Sequence, residues 1–194
     1  MKKKILIYLL FIAAHSNAQQ TDLSKSLDSL IQKESESGDF SGAVIVAEKD
    51  KIIFAKSVGF ANREKAILND TTIKYNIASV GKIFTQVILL QLIEEGKIKL
   101  TDKIGDFYTG FNKPNANQIT VLHLLTHTAG LQDVYVSKEY IKLNDLSDQE
   151  RVVEIIANEK LKFIPGSKTD YSNSGYYLLG AIASKVENKH LQML

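Results

Sequence analysis

Residues 75–104 read YNIASVGKIFTQVILLQLIEEGKIKLTDKI. Ser79 and Lys82 stand three apart, and Ile83, Phe84, Val87, Ile88, Leu89, Leu90, Leu92 and Ile93 follow before Gly96. Apolar residues at these positions cover nearly the whole circumference of a helix, and such a helix is expected inside the body of a protein. Gly96 supplies its stop. Ser79 and Lys82 then share one face of the first turn, close enough to hydrogen-bond. The unpaired N–H groups and the positive dipole end of that turn favour developing negative charge. A serine placed there beside a lysine becomes a nucleophile without any histidine. Taken alone, Ser-x-x-Lys is short, and Ser79 serves equally well as a helix cap with Lys82 in solvent.

Outward from this helix the chain reads as α+β. Leu23, Leu27, Leu30 and Ile31 recur at helical spacing, ahead of Gly38. The β-branched and small residues of Phe40–Ala47 and Ile52–Val58 flank Lys49-Asp50-Lys51, which predicts an antiparallel hairpin against that first helix. Short helices are expected near Val121–Thr126 and Asp148–Glu159, and Pro165-Gly166 breaks the chain before Tyr171-Ser172-Asn173. A last helix is expected from about Ser174 to Val186, with Tyr177, Leu178, Ala181 and Ile182 as its apolar stripe. Two strands followed by a long helical run suit an α+β class. Tyr171 is a second candidate base beside Lys82, and Asn173 is placed to bind a substrate amide. The residues alone leave open which of Lys82 and Tyr171 takes the proton.

The first residues have another character. Lys2, Lys3 and Lys4 precede the apolar run Ile5–Ala14, and Ser16-Asn17-Ala18 offers small residues to a signal peptidase. Residues 1–18 therefore read as a secretory leader cleaved after Ala18, the run being about half the ~20 residues a membrane span needs. The expected location is outside the cytoplasm, secreted or periplasmic, with no stable membrane anchor after cleavage. Residues 19–194 are then expected to form one domain. Loss of three lysines and no acid takes the formal charge from +2 to −1. A nearly neutral chain has no electrostatic footprint for nucleic acid. The absence of cysteine excludes disulfides, thiol nucleophiles and thiolate metal sites. His123 and His127 have the spacing of a zinc pair, but no Glu follows His123, so both read as structural and no metal or cofactor is expected.

Four stretches together carry a resemblance. They are FSGAVIVAEKDKIIFAKSVGFANRE from residue 40, the quoted run from 75, ITVLHLLTHTAGLQD from 119 and FIPGSKTDYSNSGYYLLGAI from 163. In this order they resemble the serine β-lactamase and penicillin-binding protein superfamily, and most of all its class C β-lactamase, DD-peptidase and esterase branch. The resemblance covers about residues 23–187. It implies an antiparallel sheet flanked by helices plus a helical subdomain, with Ser79, Lys82 and Tyr171 catalytic and Asn173 binding substrate. It reads the His127-Thr128-Ala129-Gly130 and Phe163-Ile164-Pro165-Gly166 segments as structural.

The resemblance also implies a third motif, Lys-Thr-Gly or His-x-Gly, well after Tyr-x-Asn. The sequence ends 21 residues past Asn173, and Lys168-Thr169-Asp170 precedes Tyr171 and lacks the glycine. The expectation is a C-terminally truncated member, without the last strands and helix and without one of two oxyanion donors. Such a chain is expected to be poorly stable and nearly inactive. The leading reading is a serine hydrolase working through an acyl-Ser79 ester on a β-lactam, a cell-wall D-Ala-D-Ala peptide or an ester. The alternative is an inactive relative that binds peptide or cell-wall material. An unrelated secreted α+β binding domain is the third.

Overall fold

The computed structural model describes residues 23–109, 113–143 and 148–189. The expected leader at residues 1–18 lies outside them. The chain divides into two compact units, one ending at Asn76 and the other starting at Ile77. The expectation of one domain over 19–194 did not include this division.

In the first unit, helix α1 (residues 23–36) precedes strands β1 (Gly42–Glu48) and β2 (Lys51–Val58), which pair antiparallel. The turn is tighter than expected: Lys49 and Asp50 make it, with Lys49 at φ 55°, and Lys51 already belongs to β2. Alternation sorts the side chains by face. Gly42, Val44, Val46, Phe54 and Lys56 lie on the more buried face, while Ala43, Ile45, Ala47 and Ala55 are exposed. Lys56 Nζ reaches Asp28 Oδ1 on α1 at 2.8 Å, which places α1 on the Lys56 face. The short strands β3 (Phe60–Asn62) and β4 (Ile67–Leu68) form a second antiparallel pair. Asn69, largely buried, ties the unit together. Its Nδ2 donates to Val58 O at 2.8 Å and to Ser41 Oγ at 3.1 Å, and its Oδ1 accepts from the Tyr75 hydroxyl at 2.7 Å.

The second unit is helical. A 3-10 turn (Ala78–Gly81) leads into α2 (Lys82–Glu94). The stop at Gly96 is as expected: with φ +73° it lets its own N–H bond Ile93 O and Lys97 N–H bond Leu92 O, closing the helix end. Then come α3 (Ile104–Phe107), α4 (Lys113–Gln118), α5 (Val121–Leu125), a 3-10 turn (Val134–Val136), α6 (Lys138–Ile141), α7 (Gln149–Asn158) and α8 (Asn173–Glu187). The α5 start is capped in both directions: Thr120 Oγ1 accepts from His123 N–H and His123 Nδ1 accepts from Thr120 N–H. Asp148 caps α7 through Arg151 N–H.

The two long helices exchange the environments their sequences suggest. α2, apolar on all sides, buries Leu89 and Leu92, whereas Ile83, Phe84, Val87 and Leu90 are 47–61% exposed. α8, expected to show one stripe, is buried along Ser174–Tyr176, Leu178–Ser184. Its run of small residues, Gly175, Gly180, Ala181, Ala183 and Ser184, lets α2, α5 and α7 pack against it from several directions. Leu89, Leu124, Ile156, Leu178, Leu179 and Ile182 belong to the core around it.

One glycine in this unit is required on two counts. Gly130 has φ +73°, and a Cβ there would collide with the Phe163 carbonyl oxygen. Gly96 has the same φ but open space around it. Gly130→Ala should therefore cost at least about 3 kcal/mol by chemical denaturation, against about 1 kcal/mol for Gly96→Ala. Equal losses would show that the Phe163 carbonyl does not confine residue 130.

The exposed side of α2 has its own consequence. An apolar stripe of this kind favours association over a dispersed monomer. Sedimentation should show concentration-dependent self-association, and Phe84→Glu should reduce it without lowering helicity.

Candidate active site

Ser79 lies inside the 3-10 turn ahead of α2 and is exposed. It caps neither element: Ile77 and Gly81 hold the cap positions, and neither bonds through its side chain. The reading of Ser79 as a cap is thus set aside, because its hydroxyl faces other side chains. The residue before it, Ala78, has φ 47°. A non-glycine residue in the left-handed region stores about 1 kcal/mol of strain, and such positions cluster at functional sites.

The residues singled out in the sequence meet here. Tyr171 hydroxyl lies 2.8 Å from Ser79 Oγ, and Lys82 Nζ lies 3.2 Å from the same oxygen. Lys82 Nζ also donates to Asn173 Oδ1 at 2.8 Å and sits 4.9 Å from the centre of the Tyr171 ring. Ser79 comes from the turn, Lys82 from the first residue of α2, and Asn173 from the first residue of α8. The α8 start is formed by Ser172, whose Oγ accepts from Gly175 N–H.

Three backbone bonds hold the Tyr171 segment to the 127–130 segment: Lys162 N–H to Gly130 O, Gly166 N–H to Thr128 O, and Asp170 N–H to His127 O. His127, at φ 57°, completes the attachment. Its Nδ1 accepts from Ser172 N–H at 3.2 Å, and its ring lies between Tyr171 and Tyr176, with centroids 4.7 and 4.9 Å away. Tyr176 in turn donates to Leu125 O and accepts from Gln86 Nε2. His127 therefore braces Tyr171, while His123 Nδ1 accepts within the α5 cap. Among the described residues no group of three His, Asp or Glu side chains is arranged to hold a metal ion.

Asp133 was not singled out in the sequence, although it closes the stretch from 119. Its Oδ2 accepts from Asn173 Nδ2 at 2.7 Å and its Oδ1 from Tyr135 N–H at 3.0 Å. Nothing in its spacing from Ser79 distinguishes it from an ordinary turn residue.

Electrostatics sharpen the geometry. Desolvation is the largest single influence on the Tyr171 phenol and raises its pKa. The hydrogen bonds from Lys82 and Ser79 and the Lys82 charge together outweigh it, so the phenol lies below the usual tyrosine value, with Asp133 opposing. Desolvation, then the Lys82 charge, lowers His127 below the usual histidine value of 6.5. The site can therefore hold a neutral imidazole under a phenol that ionises more readily than usual.

Residues 27–193 match the family described as Beta-lactamase. Over 172 residues the chain is 31% identical to Protein flp of Staphylococcus aureus (strain NCTC 8325 / PS 47), which covers 85% of this chain and 34% of that protein. It is 31% identical over 165 residues to Penicillin-binding protein 4* of Bacillus subtilis (strain 168), covering 83% of this chain and 36% of the relative. Among solved structures, a penicillin binding protein from Bacillus halodurans superposes with a TM-score of 0.70 at 30% identity, over 82% of this chain and 49% of that one. The chain thus spans about a third of the length of these curated relatives.

The His127 brace makes stability depend on pH. The folded state holds the imidazole pKa below its unfolded value, so the unfolded chain binds more protons as pH falls past that value. The contribution is complete above about pH 6.5 and is lost as pH drops through the folded pKa. Urea unfolding followed from about pH 7 to about pH 5 should show this loss. His127→Phe should start about 1–2 kcal/mol lower, because the Ser172 N–H is orphaned, and should show a flatter slope. An unchanged slope would remove His127 as its source.

Proposed function

The chain belongs to the beta-lactamase family, and from that premise we propose that it is an exported serine hydrolase acting by acyl transfer through Ser79. The observation that carries this reading is the convergence of Tyr171 hydroxyl and Lys82 Nζ on one serine oxygen, at 2.8 and 3.2 Å. An activated nucleophile needs a base within hydrogen-bond reach, itself oriented by a third group. Tyr171 is in reach, and Lys82 lowers the cost of its anion.

In the proposed reaction, ionised Tyr171 takes the Ser79 proton as Oγ forms a bond to the substrate carbonyl carbon. The resulting oxyanion collapses, the bond to the leaving nitrogen or oxygen breaks, and the proton passes from Tyr171 to that leaving atom. Water then attacks the acyl-Ser79 ester by the same base, releasing the acid and restoring Ser79. Asn173 uses one Nδ2 hydrogen on Asp133, which leaves the other for an acyl-amide oxygen of the substrate. Substrates suited to this arrangement are β-lactams, D-Ala-D-Ala peptides and esters, all of which present a carbonyl to the same nucleophile. Export rests on the residues 1–18 pattern; no helix among the described residues is long and apolar enough to cross a membrane.

A fluorophosphonate or labelled penicillin added to the full chain should modify Ser79, located by mass spectrometry of the peptides. Ser79→Ala should abolish labelling with little loss of stability, because its hydroxyl caps no helix. Lys82→Ala should be nearly as damaging. The labelling rate should rise with pH to a midpoint below the usual tyrosine value of about 10. Labelling that persists in Ser79→Ala would refute Ser79 as the nucleophile. Labelling of Ser79 in a chain that hydrolyses neither nitrocefin nor p-nitrophenyl esters would favour a binding relative over a hydrolase.

A further inference from the structure

The Asn173 amide lies between two groups of opposite hydrogen-bonding character. Lys82 offers only donors, and it meets Oδ1 at 2.8 Å. Asp133 as a carboxylate offers only acceptors, and it meets Nδ2 at 2.7 Å. A flipped amide would set its NH2 against the lysine ammonium and its carbonyl against the carboxylate. Both contacts would then be repulsive, so only one orientation of Asn173 is allowed.

Asp133 is itself held from both sides. Ser174 is fully buried on the first turn of α8, next to Asn173. Its Oγ donates to Gln132 O at 2.6 Å and accepts from Val134 N–H at 2.8 Å. The neighbours of Asp133 on each side are thus fastened to the neighbour of Asn173. Asp133 also caps the 3-10 turn Val134–Val136 through Tyr135 N–H, which leaves Oδ2 aimed at Asn173.

We propose that Asp133 is a positioning residue for acylation of Ser79, locking the Asn173 amide so that its oxygen holds Lys82 against Ser79 and Tyr171. This rests on the acyl-transfer reading above and names the group that sets its geometry. The carboxylate acts through Asn173 and touches no reacting atom. Its charge also opposes that of Lys82 at the Tyr171 phenol. Lys82 from α2, His127 from the segment after α5, and Asp133 are titratable groups that face Tyr171.

A structural cap and a positioning residue are separable here, because Asn caps as well as Asp. Asp133→Asn keeps an acceptor for Tyr135 N–H but turns a donor toward Asn173 Nδ2. Asp133→Ser keeps one oxygen to cap Tyr135 N–H, but its shorter arm carries neither the charge nor the second oxygen that meets Asn173 Nδ2. The full-length wild type and both variants would be compared by thermal unfolding, by ultraviolet titration of Tyr171 against a Tyr171→Phe blank, and by the fluorophosphonate rate at Ser79 across pH.

In folded Asp133→Asn the rate should fall about tenfold to a hundredfold, the range of a hydrogen bond to a charged group. The Tyr171 midpoint should move to lower pH. Asp133→Ser should show the same midpoint shift and a comparable loss of rate, with its cap and its unfolding temperature retained. An unchanged midpoint and rate in folded Asp133→Asn overturns the proposal. So does a folded Ser variant that keeps the wild-type rate, since the lost acceptor for Asn173 would then not matter. If Asp133→Asn does not fold, the Ser variant decides alone: a retained rate overturns the proposal, and a rate lowered about tenfold or more, with a lowered midpoint, supports it. A wild type unlabelled at Ser79 overturns acyl transfer itself, while the tyrosine titration still reports whether Asp133 acts on the phenol.

Discussion

The hydroxyl of Ser174 is where the second unit converts packing into a site. It is fully buried at the start of α8 and bonds both neighbours of Asp133. A buried hydroxyl with neither partner would carry a desolvation penalty of about 1–3 kcal/mol, so this arrangement resists displacement. The α8 start is in turn held by His127 through Ser172 N–H, and His127 supports the Tyr171 ring. Asn173 between them receives its position from the backbone and its orientation from Asp133 and Lys82.

α8 can carry this role because of its composition. Small residues along its length let α2, α5 and α7 approach it, and its buried run from Ser174 to Ser184 anchors its first turn. α2 delivers Lys82 from its first residue and packs on α8 through its buried side. The site is therefore built from the starts of two packed helices and one braced loop. The charges sit where the helices begin, and the apolar contacts that hold them sit further along. A fixed constellation of this kind suits the electrostatic preorganisation that the proposed acyl transfer requires.

Much of this was legible in the residues. The hairpin followed from two β-branched runs around a short polar connector, and the end of α2 from Gly96. Ser79, Lys82, Tyr171 and Asn173 were recognisable because each belongs to a short pattern embedded in a longer stretch. The burial of the helices was not legible. Periodicity reports which faces of a helix are apolar, but burial depends on what other elements lie against those faces. α2 is apolar on all sides yet exposes Phe84 and Leu90, while α8, with its smaller residues, is enclosed.

The sequence by itself determined the class of fold, the hairpin and the longer helices, and the residue types able to make a nucleophile without histidine, while β3, β4 and the short helices α3, α4 and α6 were not read from it. Those properties depend on local propensity, spacing and side-chain chemistry, all of which a linear chain displays. Tertiary structure alone decided that His127 braces Tyr171, that Ser174 fastens Asp133, and that Asp133 orients Asn173. Forty residues or more separate these partners along the chain. No spacing rule joins them, because their contact exists only once α8 has packed and the 127–134 segment has been drawn onto its first turn.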